Sequence, residues 1–138
     1  MEETGSYRTP SVEHARVSDA MTKGIVSCSG DSGLREMGRL MAGRHIHSLV
    51  IQLGDPGRWG IVSDVDIAQA AIRRATATAT DLAVPATGIP DDATLIRAIE
   101  LMHEQRSSHL IVTDAQSGEP TGMISALDIA GIVGWGEG

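Results

Sequence analysis

The nonapeptide GIVSDVDIA at residues 60–68 returns as GMISALDIA at residues 122–130. Glycine, serine, aspartate, isoleucine and alanine keep their order, and two other positions exchange one aliphatic residue for another. A chain that carries the same strand–turn–helix segment twice is constrained to build two similar halves. The repeat extends upstream. Asp31 precedes Leu34, Met37, Leu40 and Met41, and Asp92 precedes Leu95, Ala98, Ile99, Leu101 and Met102. Both runs have helical spacing behind a candidate N-cap aspartate. HSLVI at 47–51 and SHLIV at 108–112 have the length and β-branched content of strands. Turn residues follow each, GDPGR at 54–58 and DAQSGEP at 114–120.

Each nonapeptide then begins as the end of a strand and turns into a helix at Ser63 or Ser125. Ile67, Ala71 and Ile72 continue one apolar face, and Ile129, Ile132 and Val133 continue the other until GWGEG ends the helix. A short extended piece leads each half, KGIVS at 23–27 and VPATG at 84–88. The expected fold is therefore α+β, with two β-α-β-β-α repeats over residues 17–74 and 84–138, a small-residue linker over 75–83 and a mobile arm over 1–16. Halves of about 60 residues bury too little surface to be comfortably stable alone. The economical solution packs the two sheets face to face with pseudo-twofold symmetry, so that equivalent loops meet across a cleft.

Composition narrows the chemistry. There is no Phe, and the aromatic side chains are Tyr7, Trp59 and Trp135, so the core must be aliphatic. Eleven basic against eighteen acidic residues, a net charge of −7, oppose broad nucleic-acid binding. Cys28 is the only cysteine, so no internal disulfide forms. No apolar run approaches a membrane span, and the polar N-terminus is unlike a secretory signal, so the expected location is cytoplasmic.

The order of elements, their duplication and the pattern G-h-h-S-x-x-D (h, aliphatic) in each copy resemble a CBS-domain pair, or Bateman module, standing alone. VSDAMT at 17–22 is similar to the opening of a first CBS repeat, and the resemblance covers residues 17–134. It implies an adenosine-containing ligand such as AMP, ADP or ATP, with S-adenosylmethionine or NAD also compatible, held in the cleft between the repeats. In that family the serine contacts phosphate and the aspartate contacts ribose, which by position are Ser63 with Asp66 and Ser125 with Asp128. The extended pieces would flank an adenine, naming Ile25, Val26, Thr87 and Ile89. The polar groups before each inner strand, Arg44 and His47 in one half and Arg106 and His109 in the other, complete the candidate set. The resemblance also implies a homodimer, to which the helices beginning near Asp31 and Asp92 contribute, and an unidentified protein partner that reads the ligand state.

Ser-x-x-Asp after a strand has a second sufficient explanation. It is close to a capping box, in which serine and aspartate satisfy backbone N–H groups and no ligand is involved. The alternative function is then a ligand-independent dimerisation or adaptor module. Asp64 lies beside Ser63 where the second copy has Ala126. That extra carboxylate would repel phosphate, so the second motif is expected to hold the better site. His45 and His47 could share a strand face as a metal pair, but no third ligand accompanies them, and no nucleophile-elbow motif is present. No catalytic or metal-binding residue is therefore assigned.

Overall fold

The computed structural model describes residues 11–54 and 57–135. In chain order the elements are α1 (Val17–Ala20), β1 (Thr22–Lys23), α2 (Leu34–Arg44), β2 (Ser48–Gln52), β3 (Trp59–Ser63), α3 (Asp64–Ile72), α4 (Ala79–Leu82), β4 (Val84–Ala86), β5 (Gly88–Pro90), α5 (Leu95–Gln105), β6 (His109–Thr113), β7 (Pro120–Ser125) and α6 (Ala126–Trp135). They form two compact units. One is continuous, Ile25–Ala86, and the other is split, joining the residues before 25 to those after 86.

The unit boundary does not follow the repeat boundary. In the continuous unit β2 pairs antiparallel with β3, and β3 with β4, with Leu49 opposite Val62. In the split unit the sheet order is β1-β7-β6-β5, with Leu110 opposite Ile124. Each leading extended piece is thus divided between the units. Thr22–Lys23 pairs with β7, whereas the Val26 carbonyl accepts from Val50 N–H at 3.0 Å and Cys28 N–H donates to the Val50 carbonyl at 3.3 Å. Likewise β4 pairs with β3, whereas β5 runs parallel to β6.

Side-chain burial follows the same division. The split unit packs Leu95, Ala98, Leu110, Val112, Ile124 and Ile129 with Ala15 and Val17 from the N-terminal segment. The continuous unit packs Met37, Met41, Leu49, Ile51 and Val62 with Ala79 from the connector. Both short helices are tied down by equivalent bonds: Val17 N–H donates to the Ala93 carbonyl at 2.8 Å, and Ala79 N–H to the Ser32 carbonyl at 2.9 Å. Burial is worth about 0.8 kcal/mol per CH2-sized group, so Ala15, Val17 and Ala79 tie these segments into their units as structural parts.

Several expectations change accordingly. Residues 11–16 of the expected mobile arm are packed: Ala15 is fully buried and the Arg16 guanidinium donates to the Asp92 carbonyl at 3.0 Å. Residues 1–10 lie outside the described residues, as do 55–56 of the first turn and 136–138 of the C-terminus. Residues 79–82 of the expected linker form the short helix α4. The N-caps are Gly33 and Thr94, not Asp31 and Asp92, and Thr94 Oγ1 accepts from Arg97 N–H at 3.1 Å. Backbone bridges Gly33–Thr78 and Arg16–Thr94 fix both helix starts from the divided segments, which moves the caps downstream of the aspartates. Ile72 and Val133 lie on exposed helix faces, because the buried turns are Ala70 in α3 and Ile129 with Ile132 in α6.

Candidate functional site

Ser63 and Ser125 each end a strand in extended conformation and stand directly before α3 and α6. Strand alternation buries Val62 and Ile124 and leaves both serines half-buried at the sheet rim. Both Ser-x-x-Asp pairs close reciprocal capping boxes. Ser63 N–H donates to Asp66 Oδ2 and Asp66 N–H donates to Ser63 Oγ, both at 3.2 Å. Ser125 N–H donates to Asp128 Oδ2 at 2.8 Å, and Asp128 N–H to Ser125 Oγ at 3.1 Å. Each box satisfies two end-of-helix N–H groups and sets a carboxylate against the positive end of the helix dipole. In each aspartate the box engages Oδ2 and leaves Oδ1 out of it.

The remaining candidates gather around these boxes within their own units. In the continuous unit Ser48 stands opposite Ser63 across the ladder, and Asp64 N–H donates to the His47 carbonyl at 2.9 Å. This brings His47 to the start of α3, where its Nδ1 lies 2.9 Å from Asp64 Oδ2. The His47 hydrogen bond is the largest influence on the Asp64 carboxyl, holding it below the ordinary aspartate value, with help from Val65 N–H and against some desolvation. In the split unit His109 stands opposite Ser125, Ala126 N–H donates to the Ser108 carbonyl at 2.9 Å, and His109 Nδ1 bonds Ser108 Oγ at 3.0 Å. The histidines therefore occupy different positions in the two ladders. His47 corresponds to Ser108, and His109 to Ser48.

Arg44 is the exposed last residue of α2, but Arg106 is the left-handed C-cap of α5, with φ 51°. The counterpart of Arg106 is His45, with φ 53°, so the two arginines are not equivalent and His45 does not share a strand with His47. Among the leading pieces, Ile25, Val26 and Thr87 are half-buried. The Thr87 carbonyl accepts from Ile111 N–H at 3.0 Å, as Val26 does from Val50, so Thr87 and Val26 correspond. Ile89 corrects the expectation: it is 1% exposed and packs in the core of the split unit, so its side chain cannot form a ligand wall. Its counterpart by register is Cys28, whose thiol is pushed up by burial above its ordinary value.

Sequence reading missed a third box of the same type. Thr78 N–H donates to Asp81 Oδ2 at 2.9 Å at the start of α4, and the Thr-x-x-Asp pattern that signals it stood in plain view. Grooves beside the boxes run past Met41, His45 and His47 to Asp64 in one unit, and past Met102, Arg106 and Ser108 to Ala126 in the other. The serines and aspartates of the boxes line neither groove. Among the described residues no three His, Cys, Asp or Glu side chains converge to hold a metal ion. No described helix is long and apolar enough to cross a membrane.

Two tandem α+β repeats, each opening its last helix with a Ser-x-x-Asp box, define a duplicated module in which equivalent helix ends carry equivalent chemistry. The chain belongs to the CBS domain family, which matches residues 17–73 and 81–134. Solved structures agree in fold. The CBS domain of a bacterial CNNM/CorC family Mg2+ transporter, in complex with the inhibitor IGN95a, shares 14% identity at a TM-score of 0.74, covering 86% of this chain and 76% of that one. CBSX2 in complex with AMP shares 20% identity at a TM-score of 0.64, covering 86% of this chain and 95% of that one. The CBS domain pair of protein MJ0100, in complex with 5′-methylthioadenosine and S-adenosyl-L-methionine, shares 20% identity at a TM-score of 0.69, covering 87% and 96%. No curated protein matches the chain in sequence.

Proposed function

We propose that this chain is a cytoplasmic regulatory module that binds an adenosine-containing ligand, AMP, ADP or ATP in kind, and signals to a partner as a homodimer. The observation that carries the reading is the duplicated Ser-x-x-Asp box at the start of α3 and of α6. The complexes of CBSX2 with AMP and of the MJ0100 pair with S-adenosyl-L-methionine support it by analogy of fold. A helix N-terminus offers N–H groups to a phosphate, and a carboxylate beside it accepts from a ribose diol. Ser63 or Ser125 would donate to phosphate, and Asp66 or Asp128 would turn its carboxylate to the ribose. Arg44, His47, Arg106 and His109 supply cationic or donor groups nearby, and Ile25, Val26 and Thr87 supply apolar and backbone contacts to the base. S-adenosylmethionine and NAD present the same ribose. Ligand binding shifts the population of conformers that the partner reads. The reading assigns no catalytic residue, no metal and no nucleic acid.

The second motif holds the better phosphate site in this reading, because Asp64 places an additional carboxylate at the first. A second function also has an observation in its favour. Both boxes are closed, and Thr78 with Asp81 uses the same pattern on a connector helix as a plain cap. That favours a ligand-independent dimerisation or adaptor module.

Calorimetric titration with AMP, ADP, ATP, S-adenosylmethionine and NAD separates the two. The ligand reading expects saturable binding that Asp128→Ala abolishes, that Asp66→Ala weakens, and that the cap variant Asp81→Ala leaves intact. Absence of binding across the panel, or equal binding by all three variants, establishes the cap-only module instead.

A further inference from the structure

The segment after α3 carries three threonines in alternation, Thr76, Thr78 and Thr80. The continuous unit uses two of the hydroxyls. Thr78 Oγ1 donates to Asp81 Oδ2 at 3.1 Å, and Thr80 Oγ1 donates to the Gly30 carbonyl at 3.0 Å. Thr76 is exposed and lies outside any helix or strand, and its hydroxyl has no hydrogen-bond partner among the described residues. Arg73 and Arg74 stand three and two residues before it. Both are exposed, and neither guanidinium pairs with a carboxylate among the described residues. The second repeat has Trp135 and Gly136 at the places of the two arginines, so the dibasic pair is not a shared requirement of the repeats.

The backbone that presents this segment opens at little cost. Arg74 N–H donates to the Ala71 carbonyl at 3.1 Å and Ala75 N–H to the Ala70 carbonyl at 3.0 Å, the pair of bonds that closes a helix around a left-handed residue. That residue is Arg74 at φ 54°, a conformation that favours glycine and strains a side chain. Every residue from Ala71 to Thr76 is exposed, Ile72 by 81%. Unwinding the last turn of α3 therefore gives up strained cap bonds and little buried surface. On either side the chain is anchored, by Ala70 in α3 and by fully buried Ala79 in α4. Residues 71–77 can thus extend as a loop between two fixed points.

We propose that Thr76 is a phosphoacceptor for a serine/threonine kinase whose peptide groove is acidic and is read by Arg73 and Arg74. Carboxylates of such a groove take the two guanidinium forks in charge-assisted hydrogen bonds. Thr76 Oγ1 attacks the γ-phosphorus of Mg-ATP, the bond from that phosphorus to the bridging oxygen breaks, and ADP leaves with the electron pair. The hydroxyl proton passes to the catalytic aspartate of the kinase, and the chain retains a phosphothreonine ester. Residues 25–86 hold six arginines and six carboxylates and are neutral in sum. One phosphate adds about −1.5 to −2 of charge at pH 7 and makes this unit anionic. Thr78 and Thr80 are poor acceptors in the folded chain, because each hydroxyl is already committed and Thr78 also bridges Gly33. The assignment is independent of the ligand reading above.

The folded full chain, incubated with Mg-ATP and the catalytic subunit of a cyclic-AMP-dependent kinase as an arginine-directed probe, provides the test, read by phosphopeptide mass spectrometry. Phosphate is expected on Thr76 and on neither Thr78 nor Thr80. Thr76→Ser should keep the label at that position and Thr76→Ala should remove it, with circular dichroism confirming that each variant is folded. Arg73→Ala and Arg74→Ala should each lower kcat/KM roughly tenfold or more. An acid-directed kinase should leave Thr76 unlabelled. A synthetic peptide of residues 70–82 separates the motif from its presentation, and the folded chain should be labelled within about tenfold of the peptide's rate if the last turn opens readily. Labelling of the peptide but not of the folded chain overturns the proposal. So does phosphate on Thr78 or Thr80 in place of Thr76, or labelling of Thr76 that is indifferent to both arginines.

Discussion

His47 Nδ1 lies 2.9 Å from Asp64 Oδ2, at the entrance to the first Ser-x-x-Asp box, and the second repeat has Ser108 and Ala126 at those two positions. The pair makes Asp64 a more acidic carboxyl than an ordinary aspartate. A depressed folded-state pKa contributes stability above the unfolded value, about 3.9, and that contribution is lost as pH falls through the lower folded value. Carboxyl NMR titration should therefore show the Asp64 midpoint below the ordinary aspartate value and show it rising in His47→Ala. An unchanged midpoint in that variant would mean that the histidine does not set it.

The capping boxes are expected to stabilise the fold whatever else they do. Ser63→Ala and Ser125→Ala should each cost about 0.5–2 kcal/mol in urea unfolding, with the slope of the transition unchanged. A loss below a few tenths of a kcal/mol at both positions would show that the boxes are dispensable to the helices.

The glycine that opens each nonapeptide has a steric reason. Gly122 faces Lys23 across the ladder, and a Cβ there would strike the Thr22 carbonyl and the Met21 side chain. Gly60 stands opposite Pro85, and a Cβ there would lie 2.9 Å from Leu53 and 3.0 Å from Ala83. Gly122→Ala meets rigid backbone and should destabilise by about 1–3 kcal/mol, more than Gly60→Ala, where a leucine can give way. Thermal unfolding of the two variants decides the order.

His45 caps α2 in the left-handed region at φ 53°, where a side chain is strained and glycine is favoured. His45→Gly should raise stability by about 0.5–1 kcal/mol in urea unfolding. A destabilised variant would indicate that the imidazole contributes more than its backbone costs.

Fragment boundaries offer a direct test of how the chain is partitioned. Residues 25–86 keep the whole continuous core, including Ala79, together with β4. Residues 17–74, the repeat as the sequence presents it, omit both. The first fragment should unfold cooperatively by circular dichroism and the second should not, although at this length the first will be marginal. Equal behaviour of the two would refute the division.

Much of the fold was legible because it is encoded locally. Helical spacing at Leu34, Met37 and Met41, and at Leu95, Ala98 and Met102, identified α2 and α5 and their buried faces. Strand-like runs gave β2, β3, β6 and β7 to within a residue or two, and Ser-x-x-Asp announced both boxes three residues deep into their helices. Less of the candidate site was legible. Ile89 reads as an apolar wall in sequence, yet the parallel pairing of β5 with β6 turns it into the core. Arg44 and Arg106 both read as polar groups before an inner strand, yet Arg44 is the last residue of α2 whereas Arg106 is the left-handed C-cap of α5.

The sequence by itself determined the duplication, the order of the main helices and strands and the two Ser-x-x-Asp boxes, because these are written in local spacing and in residues within one or two turns of one another. Tertiary structure alone decided which half owns each short segment. Thr22–Lys23 and Val84–Ala86 are too short to carry a period, so their place is set by the partner strands β7 and β3 and by the glycines that make room there. The same non-local choice buries Val17 beneath the second repeat's residues and Ala79 beneath the first's, although each lies in the chain beside the other repeat.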